Sequence, residues 1–369
     1  MNIVFFISSM GAGGAERVTA NLANYWAELD WRVIVVTMAP TAEDFYKLNP
    51  KVDRISIGVS GDSSGAVGGI VANLKRVFAF RRILLKYKPD VAVGMMSTSN
   101  VVLALSSFGL RRIVTVGSER THPPAMPLGL VWEVLRSTFY PCLDALVVLS
   151  SESAVWMQKN TRTQNISIIP NAATWPLPLQ EPMLPPQSLA NDRYTLLAVG
   201  RLSEEKGFHY LIQAFRRLAD DCPEWRLVIL GDGPDRRKLE LQVDASGLTE
   251  RVCFPGKVGN VGQWYETSDL YVLSSLFEGF PNTLIEAMAY GLPAISFDCD
   301  TGPRDIIRHE IDGLLVPAGD VDKMVEALRR VMSDVHLRKE MSERAIEARE
   351  RFSLERIAGM WEDLFLELR

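Results

Sequence analysis

Ten short apolar runs constrain this chain more than any other feature, because none of them alternates apolar with polar residues. In the first half they are Ile3 to Ile7, Val33 to Thr37, Val91 to Met95, Ile113 to Gly117 and Ala145 to Leu149. Thr195 to Val199, Arg226 to Leu230, Val252 to Phe254, Leu270 to Leu273 and Ala294 to Phe297 follow in the second. A strand without alternation is apolar on both faces, the condition of a parallel sheet covered by helices on each side. Helical patterns such as Ala15 to Leu29 and Asn73 to Tyr87 lie between the runs and supply the crossovers. The expected class is therefore α/β. Between Thr174 and Asp192 the pattern dissolves into Pro176, Pro178, Pro182, Pro185 and Pro186, which reads as a linker. A chain of 369 residues with 47% hydrophobic content can bury a core on each side of it. The expected boundaries are 1–172 for a first Rossmann-like domain, 173–192 for the linker, 193–352 for a second such domain and 353–369 for a terminal helix.

Charge divides along the same line. Residues 1–170 hold 17 Lys plus Arg against 12 Asp plus Glu, and the remainder 23 against 33, so an overall net charge of −5 hides a basic first half. Lys75, Arg76, Arg81, Arg82, Lys86 and Lys88 crowd one predicted helix among Val77, Phe78, Phe80, Ile83, Leu84 and Leu85. Such a helix suits an anionic membrane surface and equally suits an ordinary amphipathic role. No apolar run has the length needed to span a bilayer. The start, Met1-Asn2-Ile3-Val4-Phe5-Phe6-Ile7, lacks a basic leader and reads as a buried strand. Action in the cytoplasm is expected, with peripheral attachment to the inner face of the cell membrane if the basic helix binds lipid. Nucleic acid is not among the expected partners. Cys142, Cys222, Cys253 and Cys299 show none of the short spacings of metal or dithiol sites and are expected to be reduced and mostly buried.

The chemistry concentrates in Glu278-Gly279-Phe280-Pro281-Asn282-Thr283-Leu284-Ile285-Glu286, which sets two carboxylates eight positions apart across a loop that opens into a helix. Pro281 and Asn282 are turn and N-cap types, and the helix stops at Gly291-Leu292-Pro293. Amides near Thr283 and Leu284 would face out of the helix start and suit a phosphate, while a carboxylate on each side accepts sugar hydroxyls. Arg201, after Val199-Gly200, and Lys206, before Gly207, lie at a strand end and suit a diphosphate. Gly231-Asp232-Gly233-Pro234 is first a tight turn. The loop Gly11-Ala12-Gly13-Gly14 matches the dinucleotide fingerprint poorly.

The run from Gly200-Arg201 to Lys206-Gly207, then Gly231 to Pro234, then Glu278 through Glu286-Ala287 resembles the retaining glycosyltransferases of family 4, in order over nearly the whole chain. The resemblance implies the GT-B fold, two Rossmann-like domains facing across a cleft, with acceptor on the first and nucleotide sugar on the second. It implies a last helix, about Ser353 to Leu368, that returns to the first domain, with Phe352 and Trp361 as anchors. It makes Arg201 and Lys206 the clamp on the donor diphosphate, Glu286 the grip on the ribose and Glu278 the neighbour of the transferred hexose. By the same resemblance, backbone at Phe280, Pro281 and Asn282 reads sugar hydroxyls, Thr283 and Leu284 meet phosphate, Lys257 and Val258 lie by the base, and Gly14 approaches the diphosphate. Catalytic duty falls on Arg201, Lys206 and Glu278.

Ser118-Glu119-Arg120-Thr121-His122-Pro123 follows a predicted strand of the first domain. His122 is a candidate contact for donor sugar or acceptor, and Arg120 is either a substrate contact or the partner of Glu119. Asp298-Cys299-Asp300 has the letters of a manganese-binding motif, but its setting after a buried strand points to catalysis without a metal or other cofactor. The expected donor is a UDP-sugar, carrying a hexose or N-acetylhexosamine. The expected acceptor is a saccharide or a polyprenyl-diphosphate-linked glycan of cell-surface polysaccharide, lipopolysaccharide or lipid-linked oligosaccharide assembly. A UDP-sugar epimerase of the same architecture and a non-catalytic nucleotide-sugar-binding protein are the alternatives. A glycosidase using Glu278 and Glu286 as its carboxylate pair is disfavoured, since it would need no cationic clamp.

Overall fold

The computed structural model describes residues 1–11, 13–58, 66–110, 112–186 and 193–369, which form two compact units, 1–172 with 354–369 and 173–353. The first unit contains β1 (Asn2–Ile7), β2 (Arg32–Thr37), β3 (Asp53–Ser56), β4 (Val91–Met95), β5 (Val114–Ser118), β6 (Ala145–Val148) and β7 (Ile166–Ile168). They pair in the order β3-β2-β1-β4-β5-β6-β7, all in parallel. In the second unit β8 (Tyr194–Val199), β9 (Trp225–Leu230), β10 (Val252–Gly256), β11 (Leu270–Leu273), β12 (Ala294–Asp298) and β13 (Gly313–Pro317) pair in the order β10-β9-β8-β11-β12-β13, again in parallel. Each sheet reverses direction beside its first strand, at β1/β4 and at β8/β11. That is the doubly wound arrangement in which ligands collect beyond the carboxyl ends of the strands.

The apolar runs have the two-faced burial that their lack of alternation requires. Ile3, Phe5 and Ile7 of β1 enter one core with Trp26, Trp361 and Phe365, while Val4 and Phe6 enter the opposite core with Phe80 and Leu84. Helix Leu354–Glu367 belongs to the first of these cores. Trp26 stacks on Trp31 at 5.1 Å, meets Phe365 at 5.7 Å and donates its indole N–H to Glu362 at 2.7 Å. Phe352, by contrast, lies in the second unit, edge-on to Phe280 at 5.9 Å.

The stretch after Ala173 is a strap on the second unit more than a free linker, as far as residue 186. Leu177 donates its amide to the Tyr290 hydroxyl, Leu184 exchanges hydrogen bonds with Asn260 and accepts from Trp264, and Arg349 lies 3.5 Å over the Trp175 ring. The rest of the expected linker, residues 187–192, lies outside the described residues. All four cysteines are free; Cys222 and Cys299 are buried, Cys253 is half-buried and Cys142 is exposed. Among the described residues no helix is long and apolar enough to cross a membrane.

Candidate functional site

The second unit gathers its predicted residues on the loops that leave the carboxyl ends of its strands. The segment 200–207 follows β8, 257–260 follows β10, 274–281 follows β11 and 299–302 follows β12. Backbone packing locks these loops together. Gly231 has φ of +132°, and a Cβ there would stand 1.9 Å from the carbonyl oxygen of Gly200, so the 231–234 turn rests directly on the start of the Arg201 loop. Leu202 and Asp235 add backbone bonds between the same two segments. Gly207 is left-handed at φ of +61°, with its Cα so near Ser274 that a Cβ would meet the Ser274 carbonyl oxygen at 2.1 Å. Ser274 in turn donates its hydroxyl to the Lys206 carbonyl at 2.8 Å, and the Leu276 amide donates to Glu205 at 2.8 Å.

This packing delivers Lys206 to Glu278. The ammonium Nζ lies 2.7 Å from Glu278 Oε1, and the two side chains are 22% and 11% exposed, so water screens the pair only weakly. Ser275 donates a second bond to the same oxygen at 2.7 Å, and the Thr301 hydroxyl donates to the Glu278 carbonyl. Glu278 is therefore held at one carboxylate oxygen and at its backbone carbonyl. Arg201 sits exposed on the same loop as Lys206 and makes no ion pair among the described residues. The pair and Arg201 together offer positive charge to an anion while leaving a carboxylate beside it for hydroxyl donors.

Helix Asn282–Ala289 begins one residue earlier than Asn282 would as a cap: Pro281 holds the N-cap position and Asn282 is the first helical residue. Leu284 corrects a second expectation, since its amide already donates to the Pro281 carbonyl at 3.1 Å. The Thr283 amide has no backbone acceptor among the described residues and remains the first-turn donor that the loop presents. Tyr271, whose buried hydroxyl is pushed well above its ordinary pKa by desolvation, donates to the Thr283 hydroxyl at 2.8 Å. Tyr265 reaches the Thr283 carbonyl at 3.3 Å and Glu286 Oε2 at 3.5 Å. Glu286 is 2% exposed, a carboxylate withdrawn into the helix base with Tyr265 beside it. Phe280 and Pro281 are buried, and Phe280 packs on Phe352.

Val258 lies on the loop after β10, which is tied to the strap by the Gly259 amide and the Pro182 carbonyl at 2.6 Å. The Asp298-Cys299-Asp300 segment leaves β12 in three different settings. Asp298 accepts from Arg304 Nε at 2.9 Å, Asp300 is exposed, and burial pushes the Cys299 thiol up to about 12, out of reach of thiolate chemistry near neutral pH.

In the first unit Gly14 opens the helix Gly14–Glu28, next to the undescribed Ala12. Glu119, Arg120 and His122 are all buried on the loop after β5. Glu119 does not pair with Arg120: its carboxylate accepts from Ser97 at 2.8 Å and from Tyr140 at 2.7 Å, and desolvation raises its pKa. His122 Nδ1 lies 3.2 Å from Ser153 Oγ, which also meets Ser150, the N-cap of helix Ser151–Thr161. The residues that sequence reading missed are the supports, Ser275, Thr301, Tyr265 and Tyr271.

The chain as a whole matches known proteins. Residues 180–348 match the family model for glycosyl transferases group 1, and residues 13–172 match that for a glycosyl transferase 4-like domain. An exopolysaccharide phosphotransferase of Streptomyces coelicolor is 34% identical over 76% of this chain, but the chain spans only 29% of that protein. A Campylobacter jejuni α-1,4-N-acetyl-D-galactosaminyltransferase, named for an undecaprenol-diphosphate-linked saccharide, is 29% identical over 100% of this chain and 99% of its own length. The Anabaena protein Alr3699/HepE, solved in complex with UDP, superposes with a TM-score of 0.79 at 19% identity over the full length of both chains.

The close approach at Gly207 is a testable constraint on the site. Gly207→Ala is expected to cost at least about 1–2 kcal/mol, from its left-handed backbone alone, in urea-induced unfolding. A variant as stable as the parent would show that the Lys206 loop does not need this contact.

Proposed function

From the premise that this chain belongs to the group 1 glycosyl transferases, with a glycosyl transferase 4-like first domain and the GT-B fold, we propose that it moves a hexose or N-acetylhexosamine from a UDP-sugar with retention of configuration. The observation that carries this reading is the Lys206–Glu278 pair at the carboxyl edge of the second sheet, with Arg201 on the same loop and the first turn of helix Asn282–Ala289, which includes Thr283, nearby in sequence. Lys206 and Arg201 bind the donor diphosphate and offset the charge that grows on it as the bond from sugar C1 to phosphate oxygen breaks. Thr283 gives its amide to a phosphate oxygen, and the backbone of Phe280, Pro281 and Asn282 reads hydroxyls of the sugar. Glu286 accepts from the ribose diol, Val258 borders the base, and Gly14 lets a phosphate approach the first unit's backbone.

Glu278 accepts a hydroxyl bond from the transferred sugar while keeping Lys206 in place. The acceptor oxygen forms the new bond to C1 on the face the diphosphate leaves, and its proton passes to a donor phosphate oxygen. No metal ion is required, because Arg201 and Lys206 supply the positive charge. Arg120 and His122 contact substrate on the first unit. The acceptor is a saccharide or a polyprenyl-diphosphate-linked glycan in cell-surface polysaccharide assembly, as the name of the Campylobacter relative supports.

The enzyme works from the cytoplasm at the membrane surface. Helix Ala66–Tyr87 exposes Leu74, Phe78 and Leu85 beside Lys75 and Arg82, and helix Leu130–Phe139 leaves Leu130 87%, Val131 71% and Val134 63% exposed. Apolar side chains with basic neighbours fit the headgroup region of an anionic bilayer.

Two measurements check this reading. With a panel of UDP-sugars and saccharide or lipid-diphosphate acceptors, NMR of the product is expected to show an α linkage, and Lys206→Ala is expected to reduce transfer at least about 100-fold. An inverted linkage, or activity that stops in excess chelator and returns with Mn²⁺, would contradict the mechanism. In flotation, vesicles containing anionic lipid are expected to carry the protein upward and neutral vesicles to leave it behind. Equal recovery on both would remove the membrane role.

A further inference from the structure

Beyond the clamp proposed for the second unit, the carboxyl edge of the first sheet holds hydrogen-bond donors that no other described residue satisfies. Arg120 lies two residues after the end of β5 and is 8% exposed, yet its Nε, Nη1 and Nη2 all lack a hydrogen-bond partner among the described residues. Its neighbour Glu119, the nearest counter-ion in sequence, is occupied by Ser97 and Tyr140. Burial alone lowers the guanidinium to about 9, which still leaves it charged at neutral pH. A buried cation persists at such a position when something pairs with it.

Trp361 supplies the second observation. Its ring lies 5.7 Å from the guanidinium carbon, a cation–π contact that supports the charge but offers no acceptor oxygen. Its own indole N–H is fully buried and also without a partner among the described residues. Guanidinium and indole groups can only donate. Two adjacent side chains, one charged, thus present several N–H groups and no acceptor. A carboxylate has two oxygens to meet them, whereas a phosphate has more and fits the guanidinium fork equally well.

We propose that Arg120 and Trp361 form a phosphate-binding site within the first unit, distinct from the Arg201–Lys206 clamp and taking a phosphate or diphosphate ester. The ligand is either the diphosphate of a lipid-linked acceptor or that of the nucleotide donor, and both present the same chemistry to Arg120. The site explains why the terminal helix returns to the first unit with a tryptophan at this position: Trp361 forms one wall. It deepens the substrate-contact role given above to Arg120. Its test reads anion binding and not transfer, so the two can fail separately.

The full-length chain carrying Arg201→Ala and Lys206→Gln removes the second-unit clamp, and inorganic pyrophosphate is the probe. Pyrophosphate is expected to raise the melting temperature of this chain by a few degrees. Adding Arg120→Met is expected to abolish that rise while leaving the ligand-free protein at least as stable, because an unpaired buried charge has gone. Competition by farnesyl diphosphate but not UDP would assign the site to a lipid-borne diphosphate, and competition by UDP would assign it to the donor. An equal rise with and without Arg120, no rise in the parent, competition by neither compound, or a lower ligand-free melting temperature in Arg120→Met would each overturn the proposal.

Discussion

The contact between Lys206 and Glu278 is the constraint on which the second unit's site depends, because it joins the loop after β8 to the loop after β11. Neither side chain could be placed there without the backbone beneath it: Gly207 against Ser274, Ser274 on the Lys206 carbonyl, and Leu276 on Glu205. The pair also settles an electrostatic conflict. A carboxylate near a diphosphate would repel it, but a lysine with three donor hydrogens can keep one on Glu278 and turn the others to phosphate oxygens. In the proposed function Glu278 thereby lies beside an anionic ligand and accepts from a sugar hydroxyl. Ser275 and Thr301 fix the carboxylate and its backbone so that the geometry exists before any ligand arrives.

The sheets explain why the site lies where it does. Each unit is a doubly wound parallel sheet whose strands end at one edge, and every candidate residue lies on a loop at that edge or on the helix that follows it. The two glutamates, similar in the sequence, acquire different surroundings there. Glu278 shares its charge with a cation at a partly open position, while Glu286 is nearly buried beside Tyr265. Environment separates the duties proposed for them, as it does for carboxylate pairs generally. In the first unit Arg120 is a buried cation without a hydrogen-bond partner among the described residues.

Most of the fold was legible because buried parallel strands announce themselves as unbroken apolar runs. The three strands that such runs did not reveal, β3, β7 and β13, are all at sheet edges, where burial is partial. Helix Ala66–Tyr87 begins before its expected start because it passes through Gly68 and Gly69, which local propensity disfavours. The proline-rich stretch looked like a linker by composition, but Leu177 and Leu184 find partners on Tyr290, Asn260 and Trp264 that lie far away in the sequence. The same limit applies to the site. Motif order located Lys206, Glu278 and Glu286, whereas the supports at Ser275, Tyr265 and Tyr271 are defined by contacts across loops. The Arg120–Glu119 pairing considered from their adjacency does not form, because Tyr140 and Ser97 reach Glu119 first.

The account turns on Glu278 holding Lys206 ready for a diphosphate, and calorimetric titration of UDP into a Glu278→Gln variant tests that claim most directly. Glutamine keeps an acceptor oxygen for the lysine and removes the negative charge, so UDP is expected to bind on the order of tenfold more tightly while sugar transfer falls. UDP affinity that is unchanged or weaker in Glu278→Gln would contradict the account, since it would show that Lys206 does not exchange or share its charge between this carboxylate and the donor.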